Sequence, residues 1–240
     1  MRSHSLPGGL ALLLLATLVG HAQGEESVSL SVVSDQIYRG RTWSNGGPTV
    51  VTGLGFDFAG GAYAGVTMVP VRFPGQPAWQ LAILPYAGIA GALSSTLAWD
   101  VGVSAASFSH SSPRNEDEAY LGLSGERLVA RLYLPMRKPG VGSVASYAEA
   151  SLKQPMPGGI QLDLHAGLLA PGAREAPFYG RQRAQWDLRL AAALPLEEFT
   201  AGVALVTTVN ADGWSPDAHH ASYYLARPAR ELVLSLSRAF

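Results

Sequence analysis

The residues best suited to chemistry in this chain are few and scattered. His165 stands two positions from Asp163 on what reads as one strand face. A histidine with a carboxylate is part of the relay that outer-membrane lipid-processing enzymes combine with a serine. No sequence motif ties a serine to His165, so a histidine held in a polar network is the simpler account. His219 and His220, near Asp212 and Asp217, have residue types that suit a metal. Neighbouring residues on an extended chain point apart, which fits an exposed polar loop better than a shared ion. The chain has no cysteine, and this excludes a disulfide framework, thiolate metal sites and a cysteine nucleophile. The sequence therefore assigns no catalytic residue, no metal and no cofactor.

A larger set of charges remains, and it follows a period of two. Gln182, Ala184, Trp186, Leu188, Leu190 and Ala192 alternate with Arg181, Arg183, Gln185, Asp187 and Arg189. Leu128, Ala130, Leu132 and Leu134 alternate in the same way with Arg127, Val129, Arg131 and Tyr133, and Leu162, Leu164 and Ala166 with Asp163 and His165. Such alternation belongs to strands with one apolar and one polar face. With Asp100, Glu118 and Glu149 on other polar faces, a dry core would have to bury many charges. Each would cost several kcal/mol unless paired. A wet or internally paired lumen holds them readily, so the polar faces are read as lining a barrel and the apolar faces as meeting lipid. The arginines could oppose Asp100, Glu118 and Glu149 as rows that set a transverse field. Alternatively, they pair with the carboxylates and fill the lumen.

The elements that position these residues are strands at 28–40, 48–58, 62–70, 78–90, 95–109, 117–125, 127–135, 143–153, 159–169, 181–194, 198–209 and 223–240, with the last interrupted at Pro228. Twelve strands result, with no sustained helical period. Longer connections follow the odd strands, at 41–47, 71–77, 110–116, 136–142, 170–180 and 210–222. Tight ones follow the even strands, at 59–61, 91–94, 126, 154–158 and 195–197. Bacterial outer-membrane barrels sort their loops in this way, with short periplasmic turns and long external loops.

Composition agrees. Hydrophobic residues make up 48% and charged residues 15%, against roughly 25% charged in soluble domains. The one long apolar run, Leu10 to Val19, is too short to cross a bilayer as a helix. With Arg2 and His4 before it and Gly20-His21-Ala22 after it, the run reads as the core of a signal peptide over residues 1–22, leaving 23–240 as the barrel domain. The net charge of −1 offers no basic field for nucleic acid. At the other end, Leu232, Leu234, Leu236 and Phe240 form the apolar face of a strand that stops on an aromatic, as a barrel-closing strand does at the interface. Phe240 would serve the barrel-assembly machinery as a recognition point, and Arg238 on the same face is tolerable only at the periplasmic rim.

Several stretches also resemble a known family. Val33-Ser34-Asp35-Gln36-Ile37-Tyr38-Arg39-Gly40 is similar to the opening signature of the TorF-type porins, a bacterial outer-membrane family. Tyr86-Ala87-Gly88, Trp99 to Val103, Glu118 to Ser124, Trp186-Asp187 and Leu234 to Phe240 match further motifs in order. The chain departs from the pattern at Ser104 to Phe108, where the family is richer in tyrosine, and at Pro85. The resemblance implies an outer-membrane porin and supplies no catalytic residues. The combined expectation is an all-β, antiparallel up-and-down transmembrane barrel of about twelve strands, giving passive passage to small hydrophilic solutes or ions. Its partners would be outer-membrane lipid, the assembly machinery and those solutes. A non-conducting structural or surface-binding barrel, a lipid-processing enzyme and a soluble periplasmic β-protein remain as alternatives.

Overall fold

The computed structural model describes residues 25–72, 78–109, 115–136, 146–170, 184–210 and 230–240. The expected signal peptide lies outside these residues, as do Arg181, Arg183 and the His219-His220 loop. The alternating stretches form β1 (Glu25–Val33), β2 (Ile37–Tyr38), β3 (Arg41–Thr42), β4 (Thr49–Asp57), β5 (Ala62–Val71), β6 (Gln80–Ala92) and β7 (Leu97–Phe108). They continue as β8 (Glu116–Gly125), β9 (Leu128–Pro135), β10 (Ser146–Pro155), β11 (Gln161–Ala170), β12 (Gln185–Leu196), β13 (Phe199–Asn210) and β14 (Arg230–Ala239). Apart from the β2–β3 ribbon, these strands form one closed antiparallel barrel of twelve.

Closure is a backbone matter. Lipid offers no hydrogen bonds, so a sheet that spans it can leave no edge. β14 turns back onto β1 in a register that runs from Ser29 opposite Ala239 to Val33 opposite Ser235. Beyond that ladder, the Phe240 amide donates to the Val28 carbonyl at 2.9 Å, and the Val28 amide returns a bond at 3.4 Å. The terminal aromatic thus takes part in the seam itself.

The outward rows are apolar along the whole perimeter, including Leu30 and Val32 on β1, Leu188 and Leu190 on β12, and Leu232, Leu234 and Leu236 on β14. Leu232 is 60% exposed and Leu205 is 57% exposed, although both sit within strands. An apolar surface of this extent is incompatible with water and is what hydrocarbon requires. The short connections, 58–61, 93–96, 126–127, 156–160 and 197–198, all fall at one end, with the long ones at the other. Arg238 lies at the short-turn end, where its guanidinium pairs with Glu198 at 2.8 Å and covers the rings of Phe240 and Phe199. Its apolar stem crosses the rim while its charge stays at the headgroup level.

Strand bounds differ from the sequence expectation by a few residues at several places, and most at β1. β1 stops at Val33, because the chain from Ser34 turns into the barrel instead of continuing to residue 40. The tenth expected strand, read from residue 181, is described as strand from Gln185 to Leu196. β14, described from Arg230, agrees with the interruption expected at Pro228. Placing Leu205→Arg at mid-strand on the lipid face is expected to lower unfolding stability in liposomes by about 2–4 kcal/mol. Denaturant titration followed by tryptophan fluorescence would measure the loss, and an unchanged midpoint would contradict the assigned face.

Candidate functional site

The interior is built on pairs of glycine and tyrosine. Gly65 of β5 lies opposite Tyr86, Gly88 of β6 opposite Tyr63, and Gly102 of β7 opposite Tyr120. A methyl group on Gly88 would sit 2.5 Å from the Tyr63 hydroxyl, so the ring lies flat across a bare backbone. Lying flat lets each side chain run along the wall past its neighbour. Tyr63 crosses to donate to Asp100 at 3.0 Å and to meet the Tyr120 hydroxyl at 2.8 Å. Arg131 passes over Gly122 to pair with Asp100 at 3.1 Å. Tyr147, fully buried, lies over Gly167 and donates to Asp187 at 3.1 Å. The rings of Tyr120, Tyr133 and Tyr147 succeed one another around the wall at 5.7 and 6.1 Å.

The side chains of Asp100, Glu118, Arg131, Glu149, Asp163, His165, Asp187 and Arg189 all stand on inward rows. Opposite charges meet within one stretch of wall: Arg131 with Asp100 two strands away, and Arg189 with Asp163 on the adjacent strand at 2.8 Å. Glu149 accepts from Tyr133 at 3.2 Å. Among the described residues, Arg131 and Arg189 thus pair with carboxylates of nearby strands, while Arg181 and Arg183 of the proposed basic row lie outside the described residues. Arg127 departs from expectation, because β9 begins only at Leu128. It sits exposed in the short turn between β8 and β9 and donates to Gln154 at 3.0 Å.

His165 receives a serine after all. Ser151 lies directly across from it on β10, with its hydroxyl 2.8 Å from Nδ1, and Nε2 lies 3.2 Å from both Asp187 and the Tyr147 hydroxyl. The group faces the lumen at mid-strand, not the lipid rim that a lipid-processing enzyme would use. Ser151 is also paired in register with Val129 on one side and His165 on the other, so the surrounding amides are engaged in the sheet. An oxyanion needs free, convergent donors, and a regular strand supplies none.

The principal feature absent from the sequence expectation is the segment from Ser34 to Gly47, which folds into the lumen from the long-loop end. Asp35 organises it: one carboxylate oxygen accepts from the hydroxyls of Thr42 and Ser44, both at 2.6 Å, and from the Gly46 amide at 3.3 Å. The ribbon pairs Ile37 with Thr42 and Tyr38 with Arg41, and turns through Arg39 and Gly40 at positive φ, 50° and 70°. That geometry is a primed two-residue turn, for which glycine is suited. Gly40 is also required sterically, since a methyl there would come within 2.6 Å of the Asp187 Cβ. Thr208 of β13 donates to the Gly40 carbonyl at 2.7 Å. Trp43 is buried with Val69, Val71, Ala82, Ala106 and Phe108 of β5 to β7.

Arg39, at the ribbon's tip, donates to both oxygens of Glu118 at 2.7 Å each. Its guanidinium lies 4.9, 4.7 and 4.6 Å from the ring centres of Tyr38, Tyr133 and Tyr147. Burial opposes the charge, but the hydrogen bonds and charge of Glu118, with the charge of Glu116, act the other way and the guanidinium is held above its ordinary pKa. Burial pushes the Tyr38 phenol up, so that residue stays neutral. The Arg39-Gly40 dipeptide was the available turn signal, obscured by the alternation of Val33, Asp35, Ile37 and Arg39 that reads as strand. Beside the ribbon lies a cavity of about 540 Å³ lined by Tyr63, Tyr86, Asp100, Glu118, Tyr120 and Arg131, among others.

A closed barrel with a lipid-compatible exterior and a polar interior is an outer-membrane β-barrel, and its twelve strands give it the fold of a porin. Among solved structures, a KdgM porin matches with a TM-score of 0.56 and 9% identity over 89% of this chain and 99% of that chain. The KdgM porin in complex with disordered oligogalacturonate matches with a TM-score of 0.54 and 8% identity, covering 89% and 98%. These likenesses are of fold. No family model matches the sequence, and no curated protein matches it significantly.

Asp100 holds two groups at once, the Arg131 guanidinium and the Tyr63 hydroxyl. Asp100→Ala is expected to destabilise the barrel by about 1–3 kcal/mol, since buried polar partners are left unsatisfied. Adding Arg131→Met should recover part of the loss, and a denaturant double-mutant cycle would read the coupling.

Proposed function

We propose that this chain is a porin-type channel for passive passage of small hydrophilic solutes or ions, narrowed at its external end by residues 34–47. One observation carries the reading. The polar contacts within the barrel wall join strands that are adjacent or only a few places apart, as in Arg189–Asp163, Arg131–Asp100 and Tyr63–Tyr120. Charges that lie along a wall leave the axis unbraced. Among the described residues, only the 34–47 segment ties distant sides together, through Trp43 to β5–β7, Arg39 to β8 and Gly40 to β13. A barrel built solely as a rigid scaffold would brace its lumen with its own side chains.

The resemblance of Val33 to Gly40 to the TorF-type porins supports the same reading and assigns the ribbon to that signature. Lipid around the perimeter and the assembly machinery at Phe240 complete the proposed set of partners. The Ser151–His165–Asp187 group serves in this reading as part of the polar lining.

Planar-bilayer recording tests the channel. Purified protein should give discrete conductance steps, and deletion of residues 36–43 should raise the step size severalfold. Silence from a folded deletion variant at every voltage would sink the proposal while leaving the fold intact.

A further inference from the structure

The contact between Arg39 and the wall has the makeup of a ligand in a site. Glu118, from β8, presents both oxygens to the two terminal guanidinium nitrogens, the fork-to-fork geometry that a planar guanidinium allows and an ammonium does not. Tyr133 of β9 and Tyr147 of β10 supply aromatic faces to the cation. The Glu118 and Arg39 side chains are only 6% and 9% exposed.

The wall half of this arrangement is held without any help from the ribbon. Tyr147 is fixed by Asp187 and His165, and Tyr133 donates to Glu149 between the rings of Tyr120 and Tyr147. Glu118 cannot remain so deeply buried with its charge uncompensated. Among the described residues, Arg39 is the one cationic group within ion-pair distance of it. Withdrawing the ribbon would leave a preformed anionic cage with an aromatic lining, next to the 540 Å³ cavity that Glu118, Tyr133 and Tyr38 also line.

We propose that Glu118, Tyr133 and Tyr147 form a recognition site for guanidinium-bearing cations, occupied in this structure by the chain's own Arg39. A solute carrying a guanidinium group competes with Arg39 for the cage and so exchanges with the ribbon on entering the barrel. The exchange step rests on the channel reading; the binding site does not.

Full-length Arg39→Ala, refolded in detergent, separates the two. Calorimetric titration with methylguanidinium should show saturable binding that methylammonium does not reproduce at equal ionic strength. Adding Glu118→Gln should weaken it by about tenfold or more, through loss of the charge-assisted pair. In bilayers, Arg39→Ala should conduct more than the wild type, and methylguanidinium should lower that conductance towards the wild-type level. Folded Arg39→Ala that binds no methylguanidinium, or binds both cations alike, overturns the site. Binding without any conductance keeps the site and removes the channel. If Arg39→Ala fails to fold, refolding in methylguanidinium against methylammonium decides: rescue by the first alone supports the cage, and rescue by neither or by both rejects it.

Discussion

Everything in this molecule follows from the absence of hydrogen-bonding partners for a backbone in hydrocarbon. A strand edge left open in lipid would strand a row of amides and carbonyls at several kcal/mol each. The chain must therefore return its last strand to its first, and the seam between Val28 and Phe240 is where that requirement is met. Once the sheet is closed, period-two alternation separates two environments. Leucine and valine face lipid, while serine, glycine, tyrosine and charge face the interior. Even Arg238, the apparent exception, obeys the rule by lying at the rim against Glu198 and Phe240.

The interior solves a second problem, which is how to hold carboxylates and arginines in a narrow space without filling it. Glycines in the inward rows clear tracks along which tyrosine and arginine side chains lie flat. Each reaches a partner on the next strand or the one beyond. Arg131 and Arg189 find their carboxylates within the wall, so neither pair has to stretch over the axis. The same arrangement leaves Glu118 and two tyrosine faces at the long-loop end without a cationic partner from the described wall, and the ribbon supplies one.

Much of this was legible in the sequence. Alternation and the sorted connection lengths were enough for the twelve strands, because in a barrel each strand reports its two faces independently of every other. The inward rows of Asp100, Arg131 and Asp187 could be read from parity alone. Their pairing could not, since it depends on which strands are neighbours and on which glycines are bare. The ribbon was hidden for a different reason. Val33, Asp35, Ile37 and Arg39 alternate as a strand would, yet Asp35 caps a turn and Arg39 is bound far away in sequence. Alternation records only that residues take turns between two surroundings; here the second surrounding was the lumen itself. Trp43 and Tyr63, which look like interfacial aromatics, lie inside for the same reason.

The ribbon also sets an order of events. Its seat is assembled from β5 to β10 and from β12 and β13, and the bond from Thr208 to Gly40 spans 168 residues. Contacts so distant in sequence carry a large loop-closure entropy and form slowly. The full seat of residues 34–47 therefore exists only once β13 has joined the sheet. Until Arg39 reaches Glu118, that carboxylate has no cationic partner among the described residues, and the segment that supplies one has to stay within reach.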